Sequence, residues 1–274
     1  MRKLLLGLGI AATASTALAA DYSDDIHKND YSWRQFNLMY AFNELPDPKG
    51  NDHDYLEMEF GGRSGIVDLY GYIDVFNLLS SDSSDKYGSD KMFLKLAPRF
   101  SLDGMTGKDL SFGPVQELYI STLFNINGGH DTDVGTDKES DAVNNAFFGL
   151  GADVNVPWLG KVGMNLYGLY DMTGRRQDWN GYQFSANWFK PLTTFENGSF
   201  LAYQGYVDYQ FGMKSEYTSS STGLANFNGL YWHSKRYAVG YGLKYFHDVY
   251  GIQNGQFGLK TTGFTQYVDV TYKF

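Results

Sequence analysis

Alternation at a period of two, repeated in segments of about ten residues, is the constraint that most narrows the folds open to this chain. The last segment is the clearest. In Tyr267-Val-Asp-Val-Thr-Tyr-Lys-Phe274, Val268, Val270, Tyr272 and Phe274 share one face of an extended strand, and Tyr267, Asp269, Thr271 and Lys273 share the other. Eleven more segments read the same way. Their apolar faces are Phe36–Phe42, Leu56–Phe60, Val67–Val75, Met92–Phe100, Leu118–Phe124, Phe148–Val154, Val162–Tyr170, Tyr182–Trp188, Leu201–Tyr209, an ill-defined stretch over 225–232, and Tyr237–Tyr245. The register of that tenth stretch stays open. Ten residues is the length a tilted strand needs to cross a bilayer, and the apolar faces carry almost no charge.

The chain therefore reads as all-β, a closed antiparallel transmembrane β-barrel of 12 strands. Composition fits this reading. Aromatic residues make up 17% of the chain, with 22 Tyr and 20 Phe, yet mean hydropathy is only −0.37. No long apolar run exists for membrane helices, whereas a barrel needs only every second residue to be apolar. A soluble β-sandwich is the alternative that composition alone leaves open.

The amino terminus supplies the address. Arg2 and Lys3 precede an apolar stretch from Leu4 to Leu18 that ends in Ala17-Leu18-Ala19, the pattern of a cleaved signal peptide. We expect residues 1–19 to be removed and 20–274 to form a single barrel in the bacterial outer membrane, in contact with lipid, lipopolysaccharide and the barrel assembly machinery. Loss of Arg2 and Lys3 takes the net charge from −9 to −11, which disfavours binding to nucleic-acid polymers. Zero cysteines remove any disulfide framework.

Connections alternate in length. Stretches 61–65, 157–161 and 233–236 read as tight turns, and 77–90, 127–145 and 248–262 as long polar loops. Short turns belong to the periplasmic side and long loops to the outside, so an even strand count puts both ends in the periplasm. Pro98 interrupts the fourth segment and is expected at a bulge near its periplasmic end.

The faces opposite the apolar ones would line the bore. They mix carboxylates (Glu57, Glu59, Asp68, Asp74, Glu117) with rings (Tyr70, Tyr72, Phe93, Tyr119) and cations (Lys95, Arg99). Such a wall can stack a flat ring and hydrogen-bond a polyhydroxylated sugar. The same residues can equally be pairing partners that hold the wall and fill space. Outward Trp188 and Tyr272 suit interfacial girdles. No cofactor or metal site is expected. The five histidines form no His-Glu-x-x-His pair, no Gly-x-Ser-x-Gly elbow occurs, and Gly104-Met-Thr-Gly-Lys108 lacks phosphate-loop spacing. The run Asp131-Thr-Asp133-Val-Gly-Thr-Asp137 lacks the Gly and Glu of a calcium loop. An enzyme is not expected.

Several stretches also resemble the Tsx-type nucleoside-channel family, and most of all its OmpK branch. They are Asp54-Tyr-Leu-Glu-Met-Glu-Phe60, Asp68-Leu-Tyr-Gly-Tyr72, Pro98-Arg-Phe-Ser101, Lys108-Asp-Leu-Ser-Phe-Gly-Pro114, Asp178-Trp-Asn-Gly-Tyr182, Trp188-Phe-Lys-Pro191 and Val249-Tyr-Gly-Ile252. The resemblance implies a monomeric twelve-stranded barrel with a narrow pore, nucleosides or similar small solutes as cargo, and a role as bacteriophage receptor in the OmpK members. Two readings follow: a passive solute channel resting on the inward aromatic and acidic residues, or a surface receptor without solute selectivity resting on loops 80–91 and 127–145.

Overall fold

The structure is a computed structural model that describes residues 20–78, 91–127, 144–172 and 177–274. The expected signal segment, loop 80–91 apart from Lys91, the interior of loop 127–145 and the acidic run at 131–137 lie outside the described residues.

Twelve strands close into one antiparallel barrel in sequence order. They are β1 (Tyr31–Glu44), β2 (Asn51–Ser64), β3 (Val67–Phe76), β4 (Met92–Ser101), β5 (Val115–Asn127), β6 (Asn144–Val156), β7 (Gly160–Asp171), β8 (Asp178–Thr194), β9 (Phe200–Phe211), β10 (Thr222–His233), β11 (Tyr237–His247) and β12 (Gly263–Lys273). β1 pairs with β12 from Gln35 opposite Lys273 to Phe42 opposite Gln266, so the sheet has no free edge. Closure satisfies every strand's backbone within the wall, which a lipid environment demands.

The faces follow the sequence pattern. Phe36, Leu38 and Tyr40 point outward and are exposed, whereas Asn37, Met39 and Ala41 between them are buried inside. Tyr237, Val239, Tyr241 and Leu243 are likewise exposed outside, with Ala238 buried behind them. The tenth strand settles into a register that puts Leu224, Asn226, Asn228, Leu230 and Trp232 outside, between Tyr209–Leu201 of β9 and His247–Val239 of β11. Two asparagines on the outer face explain why the apolar pattern was weak there. Asn228 is partnered on that face, accepting from the Tyr203 hydroxyl at 2.6 Å.

Two expectations need correction. Gly61, Gly62 and Arg63 belong to β2, and the turn shrinks to residues 65–66, with Gly65 at φ 54°. The register across β2–β3 runs unbroken to Ser64 opposite Val67, so the glycines continue the strand. Pro98 makes no bulge. Leu96 faces Phe124 and Arg99 faces Ser121 in one unchanged register, and Thr122 covers the gap by donating its hydroxyl to the Pro98 carbonyl at 2.9 Å.

The connections at 65–66, 157–159, 195–199 and 234–236 cluster at one end of the barrel. The same end holds a thirteen-residue connection between β4 and β5 that carries helix α1 (Leu102–Thr106). Ser101 caps α1 by accepting from the Gly104 N–H at 3.0 Å, and Gly107 ends it in the left-handed region. At the opposite rim, three connections are tied together. Asp47 and Lys260 exchange backbone hydrogen bonds, the Ser220 N–H donates to the Gly251 carbonyl, and the Gln253 N–H donates to the Ser219 hydroxyl.

Candidate functional site

All eleven residues singled out as bore-lining lie on the inner face, in register with one another. On β2 and β3, Glu57 faces Asp74, Glu59 faces Tyr72 and Arg63 faces Asp68. On β3 and β4, Asp68 faces Arg99, Tyr72 faces Lys95 and Asp74 faces Phe93. Tyr119 faces Ser101 across β4 and β5, with Glu117 two residues along on the same side. The eleven do not form one site. They divide into a charged network near the short-turn end and an aromatic and acidic wall further up.

The network binds five neighbouring strands and β7 beyond them. Arg99 donates to Asp68 at 2.9–3.0 Å and to Asp153 at 2.9 Å, and its guanidinium lies 4.0 Å from the centre of the Tyr119 ring. Arg63 donates to Glu117 at 2.9 Å and to the Tyr119 hydroxyl. Tyr119 in turn donates to Glu117 at 2.7 Å, and Lys161 reaches Asp153 at 3.1 Å. Three cations and three carboxylates thus neutralise one another. Arg is suited to this position because its planar fork can hold two carboxylates and still stack on a ring. Two further residues reach Glu117. Ser101 donates at 2.6 Å, and Tyr22, from the segment before β1, donates at 2.7 Å. Partial burial pushes the Tyr22 phenol up to about 12, with the Glu117 carboxylate adding to the effect.

Further up the bore, aromatic rings form a track along the wall. Trp33 lies 6.3 Å from Tyr70, Tyr70 6.2 Å from Tyr72, and Tyr72 6.0 Å from Phe93, centre to centre. Trp33 is on β1 and Tyr70 on β3, so the indole must cross β2. Gly61 permits this: a Cβ there would sit 2.8 Å from the indole ring. Carboxylates border the track. Glu59 accepts from Gln35 at 2.6 Å, from Asn37 at 3.0 Å and from the Tyr70 hydroxyl at 2.9 Å, and Glu57 accepts from Asn37 at 2.6 Å. Tyr70 remains 37% exposed although it points inward, so its ring is open to the lumen.

A second track runs on the other wall. Tyr206 stacks on Phe227 at 5.8 Å, and Phe227 meets Tyr267 edge-on at 5.9 Å. Phe227 reaches β12 from β10 across Gly242, where a Cβ would approach the ring to 2.2 Å. Lys244 stands among three rings, 4.7 Å from Phe246, 5.6 Å from Tyr206 and 5.8 Å from Tyr267. The sequence reading did not single out Arg63, Asp153, Tyr206, Asp208 or Lys244. Strict alternation points to Tyr206 and Asp208, since Val207 and Tyr209 belong to the outer face.

The arrangement is an inner face lined by rings and ionisable groups, in a barrel wall with an apolar exterior. Among the described residues, no cluster of His, Asp or Glu is arranged to hold a metal ion.

A family model described as nucleoside-specific channel-forming protein, Tsx, matches residues 28–274. The chain is 64% identical to outer membrane protein OmpK of Vibrio parahaemolyticus over the whole of both chains. It is 28% identical to the nucleoside-specific channel-forming protein Tsx of Salmonella typhimurium and 26% identical to that of Klebsiella pneumoniae, again over the full length of each. With a closed twelve-stranded barrel on the structural side and full-length matches on the other, the chain belongs to the Tsx family and is an outer-membrane channel.

Proposed function

We propose that this channel passes nucleosides passively, guided by the inward rings and the carboxylates beside them. The observation that carries the reading is the track of Trp33, Tyr70, Tyr72 and Phe93, spaced 6.0–6.3 Å apart and bordered by Glu57 and Glu59. A base can stack on successive rings, each contact worth roughly 1–3 kcal/mol in nucleic-acid systems. The carboxylates accept hydrogen bonds from ribose hydroxyls and base amino groups. Several weak sites in series favour entry without trapping the solute. The names of the 26–28% identical relatives agree with this cargo.

In this reading residues 1–19 are removed on export, the short-turn end faces the periplasm, and the chain works as a single barrel. The test is block of ion conductance by nucleosides in planar bilayers. Replacing Tyr70 and Tyr72 together by Ala widens the bore yet weakens nucleoside block. A simple sieve would respond by passing all small solutes faster with block unchanged. Wild-type protein that no nucleoside blocks would overturn the nucleoside reading and leave the surface-receptor role in its place.

A further inference from the structure

One ion pair crosses the barrel instead of running along its wall. The Lys95 ammonium on β4 lies 3.2 Å from the Asp208 carboxylate on β9. These strands are not neighbours: β5 to β8 separate them on one side, and β10 to β12 with β1 to β3 on the other. A contact between them must therefore pass through the lumen. Both ends are supported. Asp208 accepts from the Ser185 hydroxyl at 2.6 Å, Ser185 accepts from Gln183 at 2.9 Å, and the Lys95 ammonium stands 5.6 Å from the Tyr206 ring.

The bridge splits the lumen into unequal lobes. The smaller one, against β5 to β8, is filled. Leu123, Phe147, Tyr167 and Leu169 pack there at 0–2% exposure, with Ala97 beside them. The larger lobe, against β10 to β3, carries both ring tracks and the exposed Tyr70. Anything passing the level of Lys95 must go through the larger lobe, beside the bridge.

We propose that the Lys95–Asp208 pair is a bar across the bore that sets the size limit of the channel. Two side chains from opposite walls meet where neither could close the gap alone, so charge pairing fixes how far each extends. Partly exposed at both ends, the pair is held by mutual attraction and the Ser185 bond, with only modest energy. Its effect is steric. Removing either charge frees the other side chain to fold back against the wall, and the two lobes no longer have a divider between them. The inference rests on the chain being a channel and does not depend on which solute passes.

The experiment uses potassium chloride and uncharged sugars, so that nucleoside recognition plays no part. Single-channel conductance and liposome swelling with sugars of increasing size are measured for Lys95→Ala, Asp208→Ala and the exchanged pair Lys95→Asp with Asp208→Lys. Each single variant should raise conductance about two-fold and admit a larger sugar than wild type. The exchanged pair should return both readings to near wild type. Heat-modifiable migration in detergent gels verifies that each barrel is folded, and Lys95→Met or Asp208→Asn replaces the single variant at the same position if that one is not. Wild-type conductance and size limit in the folded single variants would overturn the proposal. So would an exchanged pair as leaky as the singles.

Discussion

Arg99 and Tyr119 share a carboxylate as well as a cation–ring contact. The guanidinium lies 4.0 Å from the ring centre and donates to one Asp153 oxygen at 2.9 Å, while the Tyr119 hydroxyl lies 3.2 Å from the other. Arg99 therefore holds Asp68 and Asp153 together while the ring covers one of its faces. Its removal leaves two buried carboxylates facing each other with reduced compensation.

Arg99→Met should destabilise the barrel by about 3–5 kcal/mol, the usual cost of breaking a buried pair from one side. Arg99→Lys should recover only part, because an ammonium cannot fork to two acids and lie flat on the ring. Urea unfolding of the refolded barrel in micelles measures both. A loss under about 1 kcal/mol for Arg99→Met would mean that lumen water screens the network as it screens surface pairs.

The outer face should punish charge according to depth. Leu150 lies at the centre of β6 and is 65% exposed outside. Leu150→Arg should cost roughly 2–4 kcal/mol in lipid vesicles, and the same change at Phe264, at the end of β12, roughly 0–1 kcal/mol. Equal costs at the two sites would contradict the placement of the bilayer along the strands.

Gly242 should be sensitive for a different reason. A methyl there would meet the Phe227 ring at 2.2 Å. Gly242→Ala should push the ring off the wall into the bore, at a cost of about 1–3 kcal/mol from overpacking. Reduced single-channel conductance is the expected reading. Unchanged conductance with an intact barrel would show that the ring escapes along the wall instead.

Much of this wall was legible from alternation alone. The outward sets on eleven strands came straight from the period of two, because a one-residue slip would turn a whole strand inside out. The tenth strand resisted because Asn226 and Asn228 sit among its outward residues, and polar side chains there erase the pattern. Arg63 hides beside an apparent turn, since Gly61 and Gly62 look like turn residues. Gly61 is instead the gap over which Trp33 lies. The bar from Lys95 to Asp208 could not be read at all. Alternation says which residues face inward, but not which of them face each other across the lumen.

The segment before β1 should detach at both pH extremes. Asp30 accepts from the Gly65 N–H at 2.7 Å, and that bond, with help from His27 and Ser64, holds its carboxyl below the usual range. A lowered acid stabilises the docked state above its ordinary pKa and loses that effect as pH falls below about 4. Tyr22, pushed up to about 12, works in the other direction. Its contribution is complete below about pH 10 and is lost as pH rises from there through about 12. Limited proteolysis of residues 20–30 in micelles should show protection between these limits and cleavage beyond them. Tyr22→Phe should remove the alkaline limb only.

The seam between β1 and β12 gives the barrel a particular order in time. Every other strand pairs with its neighbour in sequence, but Gln35 finds Lys273 and Phe42 finds Gln266 only after all the intervening strands have been assembled between them. The first strand must therefore wait, with one edge unpaired, until the last is in place. Contacts between such distant parts of a chain form slowly, because the chain must first be brought together against its own entropy. Until the seam zips, the partial sheet presents two sticky edges, and each unpaired edge can recruit a foreign strand. A chain built this way is most open to wrong pairing in the interval just before the seam closes.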